Sequence, residues 1–299
     1  MYHYRLYGFH VISDLFFPQL VKENIEKTDS ETIYILAGEV PEWLRKEKVK
    51  KYSFGMEYSW LSNRTAWIIV ENGNHIWYVL KENGKETYLQ SYILGFGLSM
   101  LAMQRGMLSL HCSALCNEKG AVLIAGESGV GKSTVASAIL EEGYSLMADD
   151  MVLVETGREG MIFANPAFPF QKLCRNVAEE RGYTLSELLY INEEKDKFLV
   201  PYQGDFCVDP MPVRAFVLLG MVEEEKVEAF PVLGTERISV YANNLFLRHL
   251  LKEERYSPSV VQKCLEMAAK VSTYYVGRPI GKDTTEQVIR EVLQFIESR

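Results

Sequence analysis

The run Gly126-Glu127-Ser128-Gly129-Val130-Gly131-Lys132-Ser133 fits the pattern G-x-x-x-x-G-K-[ST], and the chemistry it can do is to hold a chain of phosphates. Glycines at fixed places let backbone N–H groups converge on an anion with no Cβ in the way. A helix is predicted over 133–142, and its N-terminus, with unsatisfied N–H groups and partial positive charge, points at the same anion. Lys132 can reach the β and γ phosphates, and the Ser133 hydroxyl can ligate Mg²⁺. Thr134, next in the chain, is counted with the loop.

Asp149 and Asp150 follow a predicted strand over 145–148, 17 and 18 residues after Lys132. In phosphate-loop proteins a second strand end near the loop commonly brings a carboxylate to the metal. One aspartate would hold Mg²⁺, directly or through water. The other could accept a proton from an attacking hydroxyl. His111 ends the apolar run MLSLH. If the short strands after His111 and before Asp149 are adjacent, the imidazole can hydrogen-bond Asp149 and tune its proton affinity. The chain has no [NT]-K-x-D of a guanine-specific GTPase and no L-S-G-G-Q of a transport ATPase. A hydrolase would usually place a Glu after the strand-end Asp. Here a second Asp and then Met151 follow, which leans towards transfer to an acceptor.

The elements that must position these groups fall into two parts. With 299 residues, 47% of them hydrophobic and 24% charged, the chain has material for a substantial core. A net charge of −8 argues against general affinity for nucleic acid or an anionic membrane. Five cysteines without a CxxC pair, and a start lacking a basic then apolar leader, lead to the expectation of a cytoplasmic protein with reduced thiols.

Residues 1–90 read as β-rich, with strands predicted over 4–12, 32–37, 52–60, 65–70, 75–80 and 86–88. Asn72-Gly73 and Asn83-Gly84 suit hairpin turns, so an antiparallel meander is expected. The period then changes, and 91–106 is expected to be a connecting helix ended by Gly106. From 107 to 299 the pattern is α/β. A buried strand lies at 121–125, a neighbouring strand at 151–155, an irregular region at 156–200, and strands at 215–220 and 273–276. Helices are predicted over 243–254, 258–271 and 284–298, the last with Asp283 and Glu286 as a capping box.

"GESGVGKS", a helix and then "GYSLMADD", preceded by "LHCSAL", resemble the catalytic domain of the HPr kinase/phosphorylase family. The resemblance is closest over 108–152. It implies an α/β phosphate-loop fold related to phosphoenolpyruvate carboxykinase, here preceded by the β-rich part and followed by helical segments. It further implies ATP and Mg²⁺ as cofactors and a serine hydroxyl as acceptor. Gly126 to Thr134 would bind the nucleotide, Ser133 and Asp150 would hold Mg²⁺, and Asp149, assisted by His111, would be the general base. The helix opens Ser133-Thr134, where the family usually has Ser-Glu, and its second long signature segment is missing.

The N-terminal "YGFHVISDLFFPQL" and the join "YILGFGLSMLAMQRGMLSLH" look more like HPr-kinase-related proteins of peptide-modification clusters, such as lasso-peptide pathways. That resemblance implies a peptide or small-protein acceptor, while the net charge and the lack of a long apolar run add the expectation of no nucleic acid and no membrane. The β-rich part would position the acceptor or mediate assembly, including into a homo-oligomer. Lys197 and Arg214 resemble basic positions of the related kinases that offset phosphate charge, and Lys172 and Arg175 do so more weakly. The stretch "ANPAFPF" reads either as a substrate lid or as a packed connection.

Overall fold

The structure, a computed structural model, describes residues 1–23, 31–47, 50–192, 196–251 and 257–298. They form two compact units. One comprises Met1–Met107 with Phe170–Tyr202, the other Leu108–Pro169, Gln203–Leu251 and residues 257–298. The domain predicted over 107–299 is thus interrupted, because 170–202 groups with the N-terminal part.

In the first unit β1 (Tyr2–Leu6) and β2 (Phe9–Ser13) form a hairpin. The sequence predicts one strand over 4–12, but Tyr7 and Gly8 take φ of 52° and 81°, and such positive values turn the chain tightly. Apolar residues on both sides of the turn hide it. β3 (Val21–Lys22), β4 (Thr32–Ala37), β5 (Tyr52–Ser53), β6 (Tyr58–Ser62), β7 (Ala66–Glu71) and β8 (His75–Leu80) complete an eight-stranded sheet in the order β3-β1-β2-β4-β8-β7-β6-β5. The short helix α1 (Glu42–Arg45) buries Leu44. The turn at Asn72-Gly73 joins β7 to β8 as expected, with φ of 53° and 62°. The sheet is mixed, since β2 pairs with β4, and β4 with β8, in parallel, and the expected meander is corrected accordingly.

Residues 86–88 are helical. α2 (Glu86–Tyr92), a π-helical turn over Ile93–Gly97 and α3 (Leu98–Gln104) form a run that ends at Gly106, φ 69°. Tyr88, Leu89, Ile93 and Leu98 to Met103 are all buried, so burial of the run overrides the β preference of a Thr-Tyr pair.

The second unit opens with β9 (Leu108–Leu110), β10 (Cys112–Asn117), β11 (Gly120–Gly126), α4 (Lys132–Glu141), β12 (Ser145–Ala148), β13 (Val152–Thr156) and β14 (Ile162–Asn165). β13 pairs with β9 and β14. The stretch after β14 is a packed connection. Phe168 is buried, and the Ala167 N–H donates to the Met147 carbonyl at 2.8 Å.

The chain then returns to the first unit through β15 (Phe170–Cys174), α5 (Arg175–Glu180), β16 (Leu189–Asn192) and β17 (Lys197–Pro201), a three-stranded antiparallel sheet. Leu173, Ala178, Phe198 and Val200 are its buried centre. The sequence predicts an irregular region here because one inward position of β15 is Gln171, polar yet buried, and this breaks the apolar alternation that signals a strand.

The second unit closes with β18 (Met211–Val222), β19 (Glu228–Pro231), α6 (Glu236–Asn243), α7 (Arg248–Leu251), α8 (Pro258–Lys270), β20 (Ser272–Pro279) and α9 (Thr285–Glu297). The predicted helix over 243–254 resolves into the end of α6 and the short α7, while 252–254 lie outside the described residues. β11, β18 and β20 run parallel, and β10 runs antiparallel between β11 and β12.

Side chains alternate across β20. Thr273 Oγ1 meets Tyr241 Oη of α6 at 2.6 Å on one face, and Tyr274 stacks on Phe295 of α9 on the other. Asp283 Oδ1 accepts from the Thr285 N–H at 3.2 Å, but the N-cap of α9 is Thr284 with no side-chain cap bond, so the expected Asp283–Glu286 capping box does not form. The molecule is a mixed α/β protein. No helix among the described residues is long and apolar enough to cross a membrane.

Candidate functional site

Strand directions gather the site at one sheet edge. β10 is antiparallel to both of its neighbours. Its first residues therefore lie beside the last of β11, with Cys112 opposite Ala125, and beside the last of β12, with Ala114 opposite Ala148. The phosphate loop leaves β11 at this edge, the aspartate pair leaves β12, and His111 enters β10. Cys112 lies among them. Its thiol is pushed up from its ordinary pKa first by complete burial, with Lys132 opposing and Asp149 and Asp150 adding to the rise. It is therefore a neutral filler and not a nucleophile.

The loop has the backbone its glycines permit. Gly126 has φ 148°, and a Cβ there would sit 2.6 Å from the Leu219 carbonyl and 2.8 Å from Val130 Cγ1. Gly131 is the N-cap of α4 in the left-handed region, φ 103°, with no side chain capping the helix. The first N–H groups of α4 are thus left for an anion. Val130 is buried and anchors the loop, while Glu127, Ser128 and Gly129 are exposed. Lys132 Nζ donates to the Gly126 carbonyl at 2.5 Å and to the Glu127 carbonyl at 3.4 Å, so its ammonium is folded over the loop. Ser133 and Thr134 begin the helix.

Asp149 Oδ1 accepts from Ser113 Oγ at 2.7 Å. The sequence pairs Asp149 with His111. In the structure His111 Nδ1 stands 3.9 Å from Asp150 Oδ1, too far for a hydrogen bond and within ion-pair range once the ring is protonated. Asp150 takes φ 70°, a left-handed value that Asp tolerates better than most residues and that recurs at functional sites. His111 is held by its N–H donating to the Asn244 carbonyl at 2.7 Å and by Phe246 beside the ring.

Ser113 is a site residue that the motif search passes over. It is buried and sits one strand position beyond Cys112, on the edge that faces Asp149. That hydrogen bond fixes where the carboxylate points, so Ser113 is a positioning residue. Ser113→Ala is therefore expected to lower the single-turnover transfer rate about tenfold at unchanged Mg-ATP affinity, and Ser113→Thr to restore it. A wild-type rate in the alanine variant would remove Ser113 from the machinery.

Of the tentative basic residues, Lys197, Lys172 and Arg175 belong to the first unit. Arg175 makes a two-pronged pair with Asp196, Nε–Oδ2 2.6 Å and Nη2–Oδ1 2.9 Å. Arg214 lies at the opposite end of the sheet, next to Val213, which is level with Ala121 where β11 begins. It donates to the Ile296 carbonyl at 2.7 Å and to Tyr144 Oη at 2.6 Å, so its part is to fasten the end of α9. Arg214→Met is expected to lower unfolding free energy by about 1.5–3 kcal/mol, read from the denaturant midpoint, with nucleotide affinity unchanged. A selective loss of nucleotide binding would reverse that assignment.

Among the described residues no three His, Cys, Asp or Glu side chains form a metal cage. Mg²⁺ is usually held by one or two carboxylates with substrate phosphates. A hydroxyl at the start of α4 and a carboxylate at the end of β12 fit that mode.

Residues 108–183 match the family model HPr Serine kinase C-terminal domain. The HPr kinase/phosphorylase of Clostridium botulinum (strain Eklund 17B / Type B) is 31% identical over 172 residues, 52% of either chain. That of an Exiguobacterium species is 31% identical over 113 residues, 37% of this chain and 33% of the relative. That of Streptococcus mutans is 25% identical over 176 residues, 59% of this chain and 50% of the relative. The chain thus spans between a third and about half of the length of these curated relatives. The solved HPr(Ser) kinase/phosphatase from Coxiella burnetii aligns with 64% of this chain and 97% of its own, at 13% identity and a TM-score of 0.32. The matched stretch that carries the phosphate loop, Ser113 and both aspartates is thus similar to the HPr kinase/phosphorylase family.

Proposed function

We propose that this protein is a Mg²⁺-dependent kinase that moves the γ-phosphoryl group of ATP to a serine hydroxyl on a peptide or small protein. What supports the reading is one juxtaposition: the phosphate loop, Asp149 with its Ser113 donor, and Asp150 with His111 all leave the same sheet edge. Phosphoryl transfer asks little covalent chemistry of a protein and much positioning and charge compensation. The loop N–H groups and Lys132 hold the β and γ phosphates. Ser133 and Asp150 hold Mg²⁺, which when bound offsets charge on those phosphates. Asp149 accepts the proton of the incoming hydroxyl as its oxygen bonds to the γ phosphorus and the bond to the β-phosphate oxygen breaks, leaving ADP.

The names of the curated relatives favour a second reading, a bifunctional kinase/phosphorylase acting on a carrier protein. The deciding experiment incubates the protein with Mg-ATP and, in separate arms, serine-bearing peptides, a small carrier protein, free serine and a sugar, and follows the mass of one added phosphoryl group. Transfer to peptide or protein carries the reading. Transfer only to free serine or sugar makes it a small-molecule kinase, and nucleotide binding without transfer in any arm makes it a regulator. Pyrophosphate release from phosphoserine and inorganic phosphate would identify the phosphorylase reaction.

A further inference from the structure

β20 contributes a cation that the phosphate-loop motif does not contain. Tyr274 stacks on Phe295 of α9 with 4.5 Å between ring centres, and Val276 is buried. By alternation, residues 274, 276 and 278 share the face covered by that helix. Gly126 of β11 pairs with Leu219 of β18, which pairs with Val276 of β20. Arg278, two positions further along a parallel strand, therefore passes the level at which the phosphate loop leaves β11. Its guanidinium reaches back over that loop, and a Cβ placed on Gly131 would lie 3.4 Å from Arg278 Nη1. Nη2 donates to the Lys282 carbonyl at 3.4 Å, which ties the side chain to the turn before α9.

A guanidinium beside the N-cap of a helix faces the positive end of the helix dipole, an unfavourable position of up to about 1 kcal/mol unless an anion lies between them. Asp283, an exposed carboxylate near the same arginine, is held below the usual carboxylate range first by the Thr285 N–H and in smaller part by Arg278, and it offsets part of that repulsion. Three positive features therefore meet at Gly131: the uncapped α4 N-terminus, Lys132 and Arg278. A phosphate oxygen is the anion that matches them, since the planar guanidinium fork suits two such oxygens at once.

We propose that Arg278 is a second phosphate-binding cation, which pairs with nucleotide phosphate oxygens seated at the N-terminus of α4. The inference rests on the phosphate-loop reading above. Mg-ATP, Mg-ADP and AMP are titrated against the wild type, Arg278→Met, Arg278→Lys and Lys132→Ala, with melting temperatures taken without and with nucleotide.

Arg278→Met is expected to weaken Mg-ATP and Mg-ADP by about 10- to 100-fold, to leave AMP affinity within about twofold and to melt without nucleotide as the wild type does. Arg278→Lys, which keeps the charge and loses the fork, should weaken Mg-ATP several-fold, and it decides the matter if the methionine variant does not fold. Wild-type affinity for Mg-ATP in either arginine variant overturns the proposal, as does a fall in melting temperature at unchanged affinity, the mark of a purely structural arginine. If Lys132→Ala loses nucleotide and Arg278→Met does not, only this inference fails. If both bind as the wild type does, the phosphate-loop reading fails with it.

Discussion

Asp149→Asn is expected to lower the single-turnover rate of phosphoryl transfer by about 10²–10⁴-fold while Mg-ATP binds with its wild-type affinity. The substitution keeps the shape of the side chain and an oxygen to accept from Ser113 Oγ, which lies 2.7 Å from Asp149 Oδ1. The fold and the seating of the residue are therefore preserved, and only the capacity to take a proton is lost. Asp150→Asn should do the reverse. Its carboxylate is assigned to the metal, so Mg²⁺-dependent nucleotide affinity should drop, and transfer should fall with it. The two variants together test the division of roles. If Asp150→Asn kept Mg-ATP affinity and lost transfer, while Asp149→Asn lost metal-dependent binding, the base and the metal ligand would have to be exchanged.

Lys132→Ala is the second large expectation, and it acts on binding. The ammonium now donates to the carbonyls of Gly126 and Glu127 and would exchange these for phosphate oxygens. Losing a charged donor to two phosphates should cost about 2–4 kcal/mol, roughly 30- to 1,000-fold in Kd. The folded state should hardly notice, because Lys132 opens α4 and alanine is a good helix former. Titration with a fluorescent nucleotide, beside a melting curve of the free protein, separates the two effects. A variant that binds Mg-ATP like the wild type would refute the phosphate-loop assignment outright. One that unfolds would mean that the lysine holds the loop together.

How much of this was legible in the sequence depended on how local the signal was. The strand at 121–125, the loop, α4, Ser145–Ala148 and the aspartates after it are set by neighbours within a few residues, and all were read in place. The hairpin at Asn72-Gly73 was equally local. Contacts that depend on strand pairing were not. Asp149 meets Ser113, 36 residues away, and Ser113 carries no motif of its own. Arg278 reaches Gly131 only because β20 is parallel to β18 and β18 to β11. Arg214 is expected as a phosphate contact because it resembles a basic position of the related kinases. The register puts it at the wrong end, where Tyr144 and the Ile296 carbonyl occupy it. In the 156–200 region, polar inward positions such as Gln171 erased the period that would have shown strands.

The excursion of 170–202 into the first unit bears on how the protein is made. Translation delivers the eight-stranded sheet first, but the segment that completes its unit emerges only after β9 to β14 of the other one. Leu173, Ala178, Phe198 and Val200 pack on one another and on Val177, Tyr183, Leu185, Leu188 and Tyr190, all within the excursion. It thus brings its own apolar centre and can close as soon as residue 202 has left the ribosome. A gene fragment beginning at 108 would carry that centre whole, whereas one ending at 107 would lack part of its unit.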